Sequence, residues 1–252
     1  NQSLSLLTSN AISALDEYFI NNKPDLIFVQ GDTTTVFAAS LVAFYHKIKI
    51  AHVEAGLRTN NKFSPFPEEI NRVLTSKLAD YHLAPTQKSY DNLVKEGVEK
   101  SSIYITGNTV IDALFLVKDK ASKITHIDGL PDEILNGNNK VVLITGHRRE
   151  NFGEGFQNIC KAIKSLADKY KDHYFIYPVH LNPNVQKPVY EILGNTPNII
   201  LIEPQTYLPF IKLMLRAHII LTDSGGVQEE APSLGKPVLV MRENTERPEA
   251  VD

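Results

Sequence analysis

Short apolar runs alternate with helix-period segments along almost the whole chain, and no other feature restricts the fold so tightly. DLIFVQ (25–30), IKIAHVE (48–54), YHLAPT (81–86) and SSIYIT (101–106) have the length and composition of strands. Residues 3–21, with Leu6, Ile12, Leu15 and Phe19 at helical spacing, and the segments TTTVFAASLVAFYH, EEINRVLTSKLA, QKSYDNLVKEG and NTVIDALFLVKD read as the helices around them. Residues 122–140 break the pattern: they are polar and rich in Gly, Pro and Asn, and read as a linker with room for a short helix. VVLIT (141–145) then starts a second series. The strands HYFIYPV, NIILIEP, HIILT and PVLVM follow, with helices over 156–170, near 184–193, over 206–217 and after Ser224. Two successive series of this kind predict an α/β protein with two Rossmann-like, doubly wound parallel sheets. The expected division is a first domain over 1–120, a linker over 121–140 and a second domain over 141–252.

Composition narrows the function classes. A hydrophobic fraction of 42% supports a substantial core, and a net charge of −3 without a block of like charge points away from nucleic acid and anionic membranes. There is no apolar run of membrane-spanning length and no signal peptide at the start. The single Cys160 cannot form an internal disulfide, which fits a cytoplasmic setting, and its place in a helical apolar pattern reads as an inert core thiol. Asn1 opens the chain and TERPEAVD runs into its end, so the sequence reads as the middle of a longer protein.

In open α/β sheets ligands bind beyond the carboxyl ends of the strands, and the unusual polar residues gather there. Asp32 follows DLIFVQ, Glu54 closes IKIAHVE, His147 and Arg148 follow VVLIT, His180 follows HYFIYPV, and Ser224, Gly225 and Gly226 follow HIILT. Two such domains facing each other would bring these residues to one cleft. In SGGVQEE the glycines let a backbone approach an anion at a helix N-terminus, and Glu230, about one turn on, is placed to accept ribose hydroxyls. The competing reading is a glycine turn with Asp223 or Ser224 as an ordinary cap. Helix capping likewise competes for Asp32, and dipole complementation accounts for one of Glu68 and Glu69. Neither accounts for Glu54 between Val53 and Ala55. HxxxH, CxxC and DxD patterns are absent, so no required metal is expected.

Taken together and in order, QGDTTT, HVEAGLRT, PFPEEINR, GNTVIDAL, TGHRREN, PVHLNP, LTDSGGVQEEAPSLGKPVLVMRE and TERPEA resemble the non-hydrolysing UDP-N-acetylglucosamine 2-epimerases of bacteria. The resemblance implies a glycosyltransferase-B-like pair of domains, reversible conversion of UDP-GlcNAc to UDP-ManNAc, no cofactor, a homodimer and activation by UDP-GlcNAc. Matched motif by motif, it makes Asp32, Glu54 and Glu68 the acid/base carboxylates and places His147 near the leaving diphosphate. It gives Ser224, Gly225, Gly226, Glu230 and Arg247 to UDP, Phe210 to the uracil, and Arg148 and His180 to the activator. It also implies a strand with a basic glycine turn before residue 1 and further helices after residue 252.

Several carboxylates suit that chemistry. The substrate's C2 proton is not next to a carbonyl, so enolisation is closed to it. Loss of the proton as the C1–O bond to UDP breaks leaves a glycal; UDP then returns to C1 while a proton reaches C2 from the other face. Two faces need at least two positioned acid/base groups, and a third can orient the sugar. Three rivals share parts of the pattern: an epimerase of a UDP-diacetamido uronic acid, a glycosyltransferase of similar fold, and a non-catalytic nucleotide-sugar sensor. The glycosyltransferase would not need three carboxylates in one domain.

Overall fold

A computed structural model describes residues 2–148, 151–242 and 245–247. The chain divides into two compact units after Asn108. The first contains α1 (Leu4–Asn21), β1 (Leu26–Gln30), α2 (Thr34–Tyr45), β2 (Lys49–Val53), α3 (Glu68–Leu78), β3 (Tyr81–Ala84), α4 (Gln87–Lys95) and β4 (Ile103–Ile105). Its strands are parallel in the order β1-β2-β3-β4, with Gln30 opposite Val53 and Val53 opposite Leu83. Thr33 and Thr86 start α2 and α4 by accepting the amides of Val36 and Ser89 on their side chains. One core packs Val29 and Ile50 of the sheet against Phe19, Val36 and Val42 of the helices.

The second unit contains α5 (Thr109–Ser122), α6 (Asp132–Asn136), β5 (Lys140–Thr145), α7 (Glu154–Lys169), β6 (His173–Pro178), α8 (Pro183–Leu193), β7 (Ile199–Ile202), α9 (Tyr207–Arg216), β8 (Ile219–Thr222), α10 (Gly225–Ser233) and β9 (Val238–Val240). Its parallel sheet runs β7-β6-β5-β8-β9. The strand order reverses between β5 and β8, which opens the crevice where doubly wound sheets take ligands. Thr145 and Thr222 are paired across that switch point, so the residues after them emerge side by side.

The expected boundary moves. Leu114, Ala121, Ile127, Leu130, Ile134 and Leu135 are buried in the same core as Val141, Leu143 and Ile220, so α5 and the expected linker belong to the second unit. The Arg216 guanidinium donates to the Ile134 and Asn139 carbonyls, and Lys212 donates to that of Ser122. The polar composition of 122–140 conceals widely spaced apolar residues that suffice to bury it. Cys160 is the expected core thiol, fully buried and pushed up to about 11 by that burial. Among the described residues no helix is long and apolar enough to cross a membrane.

Candidate active site

In the first unit, three acidic residues lie at neighbouring element ends. Asp32 follows β1 by two residues, but Thr33 caps α2, so Asp32 is not the cap. Its carboxylate instead accepts Arg72 Nη2 at 2.5 Å, and its carbonyl accepts Asn71 Nδ2 at 3.0 Å. The preceding Gly31 is in the left-handed region (φ 78°), donates to the Val53 carbonyl, and accepts Nε2 of buried His52 at 2.8 Å. Burial pushes His52 down to about 4, which leaves a neutral ring holding the Gly31–Asp32 turn.

Glu54 lies one residue beyond the strand expected to contain it. β2 ends at Val53, and Glu54 adopts φ 63°, an uncommon conformation for a residue with a Cβ. This turns its carboxylate off the apolar strand, where Oε1 accepts Gln30 Nε2 from the adjacent strand at 2.8 Å.

Glu68 and Glu69 open α3 but differ in every respect. Glu69 is 3% exposed and accepts the amides of Thr59 (3.0 and 3.1 Å) and Asn60 (2.9 Å), with Arg72 Nη1 at 3.3 Å. It fixes the loop between β2 and α3. Glu68 is half-buried and has neither a hydrogen-bond nor an ion-pair partner among the described residues. Residues 68 and 72 share a helix face, and Arg72 binds Asp32, so Glu68 is turned towards the side of α3 that meets Asp32. Arg58 is buried as well. Its buried guanidinium pairs with Glu96 at 2.7 and 2.9 Å and reaches Ser76 and the Leu57 carbonyl, fixing the same loop from below.

In the second unit, Asp223 organises the strand ends. It is fully buried, and its Oδ2 accepts the amides of His147 (2.9 Å) and Arg148 (2.8 Å) and Asn151 Nδ2 (3.4 Å). The His147 and His180 rings stack with centroids 5.3 Å apart. Partial burial holds His147 below the usual imidazole range, against the upward pull of Asp223, while Arg148 and His180 reinforce the lowering. Tyr177 donates to the Gly146 carbonyl at 2.8 Å and steadies the residue before this loop.

Ser224 is the N-cap of α10, yet its side chain makes no capping hydrogen bond. The amides of the first turn therefore lack the usual side-chain acceptor. Gly225 is packed beneath the Arg247 and Glu246 side chains, whereas among the described residues a Cβ on Gly226 would meet only Glu230 Oε2, at 3.7 Å. Among the described residues neither packing nor backbone conformation requires glycine at 226. Glu230 is nearly buried and raised by that burial and by Glu229, while the Tyr207 hydroxyl pulls the other way. Arg247 Nε donates to Glu229 and its Nη1 to Glu246, the latter at 2.5 Å. Phe210, on α9, is half-buried against the core. Among the described residues no group of three His, Cys, Asp or Glu side chains could hold a metal ion.

Residue type and motif order led to Asp32, Glu54, Glu68, His147 and the glycine turn. They did not single out Arg72, Asn71 or His52, and gave Glu69 only as a first-turn acid and Asp223 only as a cap. For Arg72 one signal existed: an arginine four residues after a helix-opening acid shares its face.

The chain matches the model of the UDP-N-acetylglucosamine 2-epimerase family over residues 1–252. It is 56% identical over 254 residues to the UDP-N-acetylglucosamine 2-epimerase of Neisseria meningitidis, covering all of this chain and 68% of that protein. The crystal structure of the N. meningitidis UDP-GlcNAc 2-epimerase bound to UDP-GlcNAc superposes with a TM-score of 0.92 at 55% identity, over 100% of this chain and 68% of that one. The Methanocaldococcus jannaschii UDP-GlcNAc 2-epimerase in complex with UDP-GlcNAc and UDP gives 0.86 at 38% identity, over 100% and 69%. The two parallel α/β units are those of this glycosyltransferase-B-like fold. The chain belongs to the UDP-N-acetylglucosamine 2-epimerase family.

Proposed function

We propose that this protein interconverts UDP-N-acetylglucosamine and UDP-N-acetylmannosamine at C2, by elimination of UDP to a glycal and re-addition. The observation that carries the reading beyond family membership is the grouping of Asp32, Glu54 and Glu68 around adjacent strand ends and one helix start. Glu54 and Glu68 are half-buried rather than locked into the core, as proton transfer to a bound sugar requires. In this reading these three exchange the C2 proton and orient the sugar, with Arg72 and His52 holding Asp32 in place.

UDP is assigned to the second unit. The first-turn amides of α10 receive the diphosphate, Gly226 gives it close approach, and Glu230 accepts from the ribose. His147 and Arg247 offset the charge that develops on the leaving diphosphate, and Phe210 packs near the uracil. Arg148 and His180 are assigned to activating UDP-GlcNAc, and a cytoplasmic homodimer feeding cell-surface polysaccharide synthesis is proposed on the resemblance alone.

The test is proton NMR of UDP-GlcNAc with the enzyme in heavy water. UDP-ManNAc carrying deuterium at C2 is expected. Product with protium retained at C2 argues against solvent-exchanging acid/base groups, and absence of any C2 epimer refutes the assignment.

A further inference from the structure

We propose that buried Asp223 is the positioning partner of His147, its unengaged carboxylate oxygen closing on the imidazole when the ring takes up a proton. The two oxygens of this carboxylate have different surroundings. Oδ2 accepts from two backbone amides and Asn151, which is enough to explain an acid that merely shapes a loop. Oδ1 is also buried and accepts no hydrogen bond. A buried, unsatisfied carboxylate oxygen is costly, and a structural role leaves it unexplained. The closest ionisable nitrogen recorded for it is His147 Nδ1, at 3.7 Å. A ring shift of under about 1 Å would bring the pair to the length of a charge-assisted hydrogen bond.

The loop is built for that approach. The His147 and Arg148 amides are anchored on Oδ2 of the same carboxylate, so backbone and acceptor form one rigid piece. The ring itself is 42% exposed and rests flat on His180, so the approach to Oδ1 is a slide within the stacking plane. The charged or titratable groups that bear on it are Asp223 from the end of β8, His180 from the end of β6 and its neighbour Arg148. Among the described residues only Asp223 favours the cation. Partial burial favours the neutral ring, and an anion at the site would favour the cation. When an anion arrives, His147 takes one proton from solvent, Nδ1–H is held by Asp223, and Nε2–H is left to face the anion. No covalent bond changes. Only the identification of that anion as the UDP diphosphate rests on the proposed function; the pairing does not.

The test uses the full chain with isotope-labelled histidine, the His147 signal being assigned by its loss in His147→Gln. Asp223→Asn keeps an oxygen for the two amides and puts an NH2 group against Nδ1, which favours the neutral ring. The His147 midpoint should fall by about one pH unit or more. An unchanged midpoint in the folded variant overturns the proposal. Should the variant not fold, the unmodified chain decides: on protonation Nδ1–H should give a downfield, slowly exchanging proton signal, and titration without one overturns the pairing. In turnover, Asp223→Asn should lower kcat by roughly tenfold or more while changing KM by less than about threefold. Added to His147→Gln it should cost no more than about twofold further, and losses that multiply would show that Asp223 acts otherwise. If UDP-GlcNAc is not epimerised at all, the proposed function fails while the titration arms still judge the pairing.

Discussion

Adjacent residues Glu68 and Glu69 should respond in opposite ways to the same substitution. Replacing Glu69 by Gln removes a charge from a group that is 3% exposed and already engaged on both oxygens. The Gln oxygen can keep the Thr59 and Asn60 amides now at 3.0 and 2.9 Å, but as a neutral acceptor. Each of these bonds then drops from about 1.5–3 to about 0.5–1.5 kcal/mol. The new NH2 group meets Arg72 Nη1, now 3.3 Å from a carboxylate oxygen, and sets donor against donor. Together the loss is about 3 kcal/mol, below the full cost of stranding a buried charge because Arg72 keeps Asp32. Glu68→Gln removes no contact among the described residues and should change stability by under about 0.5 kcal/mol. It should nevertheless lower turnover by roughly a hundredfold or more. Urea unfolding followed by circular dichroism gives the stabilities, and amide exchange at Thr59 and Asn60 reports loosening of the loop. Undiminished stability in Glu69→Gln refutes the structural assignment. Normal turnover in Glu68→Gln refutes the chemical one.

The other predictions separate binding, pH dependence and packing. Gly226→Ala should leave stability unchanged or raise it by up to about 0.5–1 kcal/mol, since among the described residues its Cβ meets only Glu230, at 3.7 Å. Calorimetry should show UDP affinity reduced about tenfold or more, whereas Gly225→Ala should lose stability through its collision with the Arg247 and Glu246 side chains. His52 titrates near 6.5 unfolded and about 4 folded, so the unfolded state binds the extra proton in that interval. Stability should be intact above pH 6.5 and fall by about 3 kcal/mol towards pH 4, and His52→Asn should flatten that slope in pH-dependent melts. Glu96→Ala should destabilise more than Arg58→Met in urea melts. The first strands a guanidinium side chain 2% exposed, whereas the second leaves a carboxylate 27% exposed that can rehydrate.

The fold was legible because buried parallel strands are short, apolar and nearly continuous, and every strand of both sheets coincides with such a run to within a few residues. Residues 122–140 read as a linker for the complementary reason. Ile127, Leu130, Ile134 and Leu135 are buried and fall at helical spacing, but Gly129, Pro131 and the polar residues between them interrupt that pattern. Glu54 was read as the last strand residue because a left-handed backbone leaves no trace in the sequence unless glycine provides it. The role of Asp223 was illegible for a longer-range reason. It depends on Thr145 lying opposite Thr222, a register between strands 77 residues apart.

The two units solve the same physical problem in the same way. In each, a buried carboxylate gathers consecutive backbone amides of a strand-end loop: Glu69 takes Thr59 and Asn60, and Asp223 takes His147 and Arg148. In each, a residue proposed for chemistry or binding lies beside that carboxylate: Glu68 beside Glu69, and His147 and Ser224 beside Asp223. Ionised oxygens accepting backbone donors make the loop rigid without spending the reactive group on its own support, which is what preorganisation asks of the surrounding residues. Chemical type cannot separate the members of such a pair, because Glu68 and Glu69 are the same amino acid. Burial separates them, and the buried member is paired with Arg72, which meets Glu69 on one side and Asp32 on the other. An Arg72→Met substitution should therefore damage both halves at once, loosening the Glu69-held loop and freeing Asp32. The turnover loss should exceed that of Glu69→Gln even when both variants are assayed at a temperature where they remain fully folded. Equal losses would mean that Arg72 serves the loop alone and that Asp32 needs no such partner.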